Sequence, residues 1–173
     1  MKLLLFLVRR SLYVENDIRF TEGLNMGEDM MVMMKLFICA GKVGIVHRPF
    51  YHYRQSNPES LTKIYSQEHI IQVANNVYEV EKYVNASAYA DSLIEFIPFL
   101  KLNIKLPLLI TDDKSHYEQW LECFPEANCY VMNNKLLPLR TRIIQWMAVK
   151  RYFILLRLYY RTVFKLVYGI IYK

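Results

Sequence analysis

Two clusters of residues have the types and spacing for chemistry. The first is Asn25-Met26-Gly27-Glu28-Asp29, which runs directly into an apolar stretch, Met30-Met31-Val32-Met33-Met34. A carboxylate at the tip of a buried helix is rigidly placed and kept ionised, as a general base must be. The same acidic pair is also stabilised by the unpaired N–H groups and dipole of a helix start, so a purely capping role fits the spacing equally well. The second cluster is Tyr51-His52-Tyr53-Arg54 with Ser60. On a strand, Tyr51 and Tyr53 share one face and His52 and Arg54 the other. A guanidinium just beyond a strand suits a phosphate or carboxylate, and suits a surface ion pair as well. His52 among aromatics reads as a ligand or as a hydrogen-bonded structural side chain.

The elements that must position these residues follow from the pattern. From Glu28 the chain is apolar nearly all round, a buried helix that Gly41 ends. Val43 to Tyr53, rich in β-branched and aromatic residues, reads as a strand, and Asn57-Pro58-Glu59-Ser60 as a loop. Ile70, Ile71, Val73, Ala74, Val77, Tyr78, Val80 and Tyr83 recur at helical spacing, with Glu79, Glu81 and Lys82 off that face. Further helices are expected over Ala88 to Leu100, ending near Pro98, and over Lys114 to Phe124 after Asp112-Asp113. Pro138 opens a last block of one or two helices. One strand cannot hydrogen-bond itself, so the expected fold is an α/β fragment, mostly helical.

In order, Ile18-Arg19-Phe20-x-x-Gly23, then Met26-Gly27-Glu28-Asp29, then Pro49-x-Tyr51-x-Tyr53-Arg54 and Ser60 resemble the second half of a bacterial family 2 glycosyltransferase domain. The resemblance covers roughly residues 3–65. It implies the C-terminal, acceptor-side part of an A-type domain followed by a helical extension, and transfer of a sugar from a nucleotide-sugar to a cell-surface polysaccharide or lipid-linked acceptor. Carried over, Asp29 is the catalytic base and Glu28 orients it or contacts the acceptor. Arg54 faces the donor diphosphate, with Tyr53, His52 and Ser60 lining the site. The complete family domain binds Mg or Mn through an Asp-x-Asp motif and holds the nucleotide in a βαβ unit. This sequence contains no Asp-x-Asp. The chain is therefore expected to be truncated, inactive alone, without a metal of its own, and to meet nucleotide-sugar and glycan acceptor only with a complementing half.

Composition bounds the rest. With 54% hydrophobic and 22% charged residues, disordered and disulfide-scaffold classes are excluded. Three cysteines without metal spacing read as reduced thiols of a cytoplasmic protein. No run approaches the ~20 apolar residues of a spanning helix. The formal charge of +6 is unevenly spread. Residues 1–134 hold all 16 acidic side chains against 13 basic ones, whereas 135–173 hold 9 basic and none acidic. Three regions follow: 1–66 as the half domain, 67–134 as a helical region, and 135–173 as a basic amphipathic tail. On one continuous helix, Lys150, Arg157, Arg161 and Lys165 lie within an arc of about 80°. Such a stripe fits an anionic membrane surface, peripheral on the inner face of the cytoplasmic membrane. A helix packed on its own domain accounts for it too, and so does nucleic acid, although no base-reading motif is present. The alternative to a transferase is thus a non-enzymatic helical module that binds membranes or nucleic acid.

Overall fold

In the computed structural model, residues 6–23, 25–49, 51 and 67–163 are described. They form seven α-helices, α1 (Arg10–Glu15), α2 (Glu28–Cys39), α3 (Gln67–Asn85), α4 (Phe96–Ile104), α5 (Lys114–Glu122), α6 (Leu139–Val149) and α7 (Phe153–Tyr159), with short 3-10 turns between α3 and α4, α4 and α5, and α5 and α6. The chain divides into two compact units, Met1–Leu93 and Ile94–Lys173.

The first unit is organised by α2 and α3. Met30, Met31, Val32, Met33 and Leu36 of α2 are buried, as are Val77, Val80 and Val84 of α3, which share one helical face. Gly27 lies against Val73 and Asn76, while Cys39 at the other end of α2 meets Tyr83, so the two helices run in the same direction. Asn85, Ile71 and Tyr78 face outward. The short α1 packs on α2, and the Phe6 ring meets Phe37 edge-on, with centroids 5.6 Å apart.

The second unit is pinned by a buried lysine. Lys105, only 1% exposed, donates from Nζ to the carbonyls of Trp120 (3.1 Å), Cys123 (2.7 Å) and Phe124 (3.3 Å) and to Asn128 Oδ1 (2.5 Å). The ammonium also lies 4.1 Å above the Trp120 ring. It satisfies carbonyls that the end of α5 leaves without helical partners, where the dipole favours a cation. At the other end of α5, Asp113 accepts a bond from Ser115 N at 2.9 Å, so the helix starts where Asp112-Asp113 predicts. Gln145 of α6 donates to Leu102 O of α4 at 2.9 Å, tying these helices together.

Three expectations are corrected. The fold is not an α/β glycosyltransferase fragment: among the described residues there is no strand, and the elements are helical throughout. The described part of the expected strand, residues 43–49, is exposed and irregular. β-branched residues favour a strand only when a neighbouring strand receives their backbone bonds, and no such neighbour exists among the described residues. Pro98 does not end a helix but sits in the first turn of α4, where its missing N–H breaks no helical bond. After Pro138 two helices form, within the one or two expected, so the basic stripe drawn on a single helix is interrupted. Lys150 caps α6, Arg151 takes a left-handed conformation (φ 57°), and α7 starts afresh at Phe153. Lys150 therefore leaves the stripe formed by Arg157 and Arg161, and Lys165 lies outside the described residues.

Candidate functional site

The start of α2 is built by α3. Gly27 adopts a left-handed φ of 85°, a conformation that L side chains rarely take, and leads the chain into Glu28. The loop before it is held from the side. Asn25 N donates to Gln72 Oε1 (3.0 Å), and the fully buried Asn76 donates from Nδ2 to Met26 O (2.8 Å). Gln72 and Asn76 are one turn apart on α3, with Val73 between them against Gly27.

This cradle sets the direction of Glu28 and Asp29 on the first helical turn, both half-buried. The cap position is Gly27, which has no side chain to cap the helix. Both carboxylates gain from the positive end of the helix. Tyr13 of α1 feels this arrangement: burial raises its phenol above the ordinary range, and the Asp29 charge raises it further. Beside the opposite end of α2 runs a groove of about 820 Å³, walled by Phe6, Leu12, Met33, Phe37, Val43 and Ile45 among others.

Of the residues singled out by sequence, Glu28 and Asp29 stand on the first turn of α2. His52, Tyr53, Arg54 and Ser60 lie outside the described residues. Arg157 is exposed on α7, and Arg161 pairs with Asp112 at 3.2 Å on the surface. Tyr13, Gln72 and Asn76 were not legible as site residues: nothing marks a tyrosine 16 positions before Asp29, or two polar residues on a helix some 45 positions after it, as neighbours of one loop. Asn75-Asn76 inside a helical pattern was the one available signal, since asparagine is unfavourable there unless its side chain has work to do.

A divalent metal is implied by the resemblance. Glu28 and Asp29 offer adjacent carboxylates, but among the described residues no third His, Cys, Asp or Glu joins them. These residues do not form a set for it, and no step is assigned to a metal.

No protein-family model, curated protein or solved structure matches the chain.

Proposed function

We propose that the chain supplies the acceptor-side, proton-accepting part of a sugar-transferring centre. Asp29 takes the proton of an acceptor hydroxyl as that oxygen bonds to the anomeric carbon of a nucleotide-sugar. The bond from that carbon to the diphosphate breaks, and the nucleoside diphosphate leaves with its electron pair. The observation that carries this reading is the start of α2: a carboxylate on the first turn of a buried helix, behind a left-handed glycine, in a loop pinned by Gln72 and Asn76. A solvated cap requires no such cradle. The order of the Met26-Gly27-Glu28-Asp29 and Pro49 to Ser60 segments supports the same reading through the resemblance.

The proposal is narrowed by the corrected fold. What is proposed is a helical acceptor-side element, with the nucleotide held by a separate polypeptide segment that carries the Asp-x-Asp this sequence lacks. Arg54 is assigned to the leaving diphosphate, whose developing charge a fixed guanidinium stabilises. The acceptor is a glycan or lipid-linked sugar hydroxyl at the cytoplasmic face of a membrane.

The test mixes the purified chain with a polypeptide from the neighbouring reading frame that carries a βαβ unit and Asp-x-Asp, and measures nucleoside-diphosphate release from a panel of nucleotide-sugars. Release is expected from the mixture and from neither component alone. Micromolar binding of uridine diphosphate by this chain alone would contradict the placement of the donor site elsewhere.

A further inference from the structure

The outward face of α6 combines two properties that rarely coincide. Gln145 and Ala148 are buried, and on the opposite side Leu139, Ile143, Trp146 and Lys150 fall within an arc of about 60° at 100° per residue. Leu139 is 55% exposed, Ile143 42% and Trp146 38%. Arg140 and Arg142 border this stripe on either side. Where the helix ends, the left-handed Arg151 turns the chain and sets the exposed Tyr152 ring edge-on to Trp146, at 5.8 Å and 77°. The apolar stripe is thereby continued around the corner between α6 and α7. Beyond it Ile154, Leu155 and Leu158 are exposed while Leu156 is buried.

Along the described part of this segment the charge has one sign: residues 135–163 contain seven basic side chains and no acidic one, with Arg161 paired to Asp112. A nucleic-acid duplex accounts for the charge but not for exposed leucine and isoleucine. An apolar protein surface accounts for the aliphatic residues but not for the basic side chains that flank them. The interface of an anionic bilayer takes both, with phosphates for the cations and an acyl boundary for the apolar side chains. Tryptophan and tyrosine at the rim suit the headgroup level. Among the described residues no helix is long and apolar enough to cross a membrane, so contact is in plane.

We propose that α6 and its corner with α7 dock onto an anionic membrane surface, with Leu139, Ile143 and Trp146 entering the acyl boundary and Lys150 and Arg151 meeting headgroup phosphates. This surface is independent of the carboxylates on α2.

The test uses the full chain with vesicles of phosphatidylcholine alone or with phosphatidylglycerol added, and reads binding by flotation. Brominated lipids supply a second readout, because Trp120 is buried and Trp146 exposed, so quenching reports Trp146. Binding to the anionic vesicles, about tenfold or more tighter than to neutral ones and accompanied by quenching, is expected. Ile143→Asp with Trp146→Ala is expected to weaken binding by more than about tenfold with the far-ultraviolet circular dichroism unchanged. Should that pair perturb folding, Lys150→Glu alters only an exposed side chain and is expected to weaken binding several-fold. Equal binding to neutral vesicles, no vesicle binding, or full binding by the well-folded variants overturns the proposal. So does tight binding of a duplex oligonucleotide that displaces the chain from vesicles.

Discussion

Gly27 is the residue on which the direction of α2 depends. Its φ of 85° costs an L side chain ~1–2 kcal/mol, while the space beside it is adequate, a Cβ meeting Val73 Cγ2 at 3.4 Å. Gly27→Ala should therefore lower stability by about 1–2 kcal/mol in urea titrations, with Gly27→Asn milder because asparagine tolerates the left-handed region. A neutral Gly27→Ala would show that the conformation is not required. Lys105 makes a second residue-scale prediction. Burial pushes its ammonium down to about 8, against the opposing pull of the Cys123 and Glu126 charges. The unfolded chain, near 10.5, then binds this proton more tightly than the folded one. This residue's contribution to stability is therefore lowest below pH 8 and rises as pH increases from 8 to 10.5. Lys105→Met strands the acceptors at the end of α5 and should cost about 1–3 kcal/mol. That loss should be about 2 kcal/mol larger at pH 9.5 than at pH 7. A pH-independent loss would contradict the assignment. The role of Lys105 was hidden in the sequence because a lysine within Lys101-Leu102-Asn103-Ile104-Lys105 looks like any solvated face; only the folded chain shows four acceptors converging on it.

At the scale of elements, local signals were legible wherever one segment decides its own state. The start of α2 at Glu28, the start of α5 after Asp113, the helical state of α3 and the opening of the last helices at Pro138 all follow from caps and periodicity, although Ile71 and Tyr78, read into the apolar face of α3, are exposed. Elements that depend on something distant were not. The Val43 to Tyr53 segment carries strand propensity, yet its described part is not a strand, because propensity acts only through pairing. The break between α6 and α7 carries no proline or glycine, since it is made by a left-handed Arg151. The packing of α2 on α3 carries a prediction of its own. Leu36 of α2 is buried and Ile71 of α3 is exposed, although both fall within apolar patterns. Leu36→Ala should cost about 2–5 kcal/mol by chemical denaturation, whereas Ile71→Ala should change stability by less than about 0.5 kcal/mol. Similar costs for the two would mean that the wrong face of α3 has been placed inward.

For the molecule as a whole, the net charge of +6 conceals an acidic majority before residue 135 and a purely basic segment after it. The candidate base lies in the first unit and the surface proposed to dock on a membrane in the second. The division of labour proposed is chemistry in one and location in the other. The candidate site was half legible: Glu28 and Asp29 could be chosen from residue type and position, while the Gln72 and Asn76 cradle required the fold. The central claim is that Asp29 accepts the proton during sugar transfer, and it is tested most directly by the turnover of Asp29→Asn in the complemented reaction. Loss of a general base predicts a fall in kcat of about 10²–10⁴-fold with donor binding unchanged. Turnover by Asp29→Asn at the rate of the unaltered chain would contradict the claim.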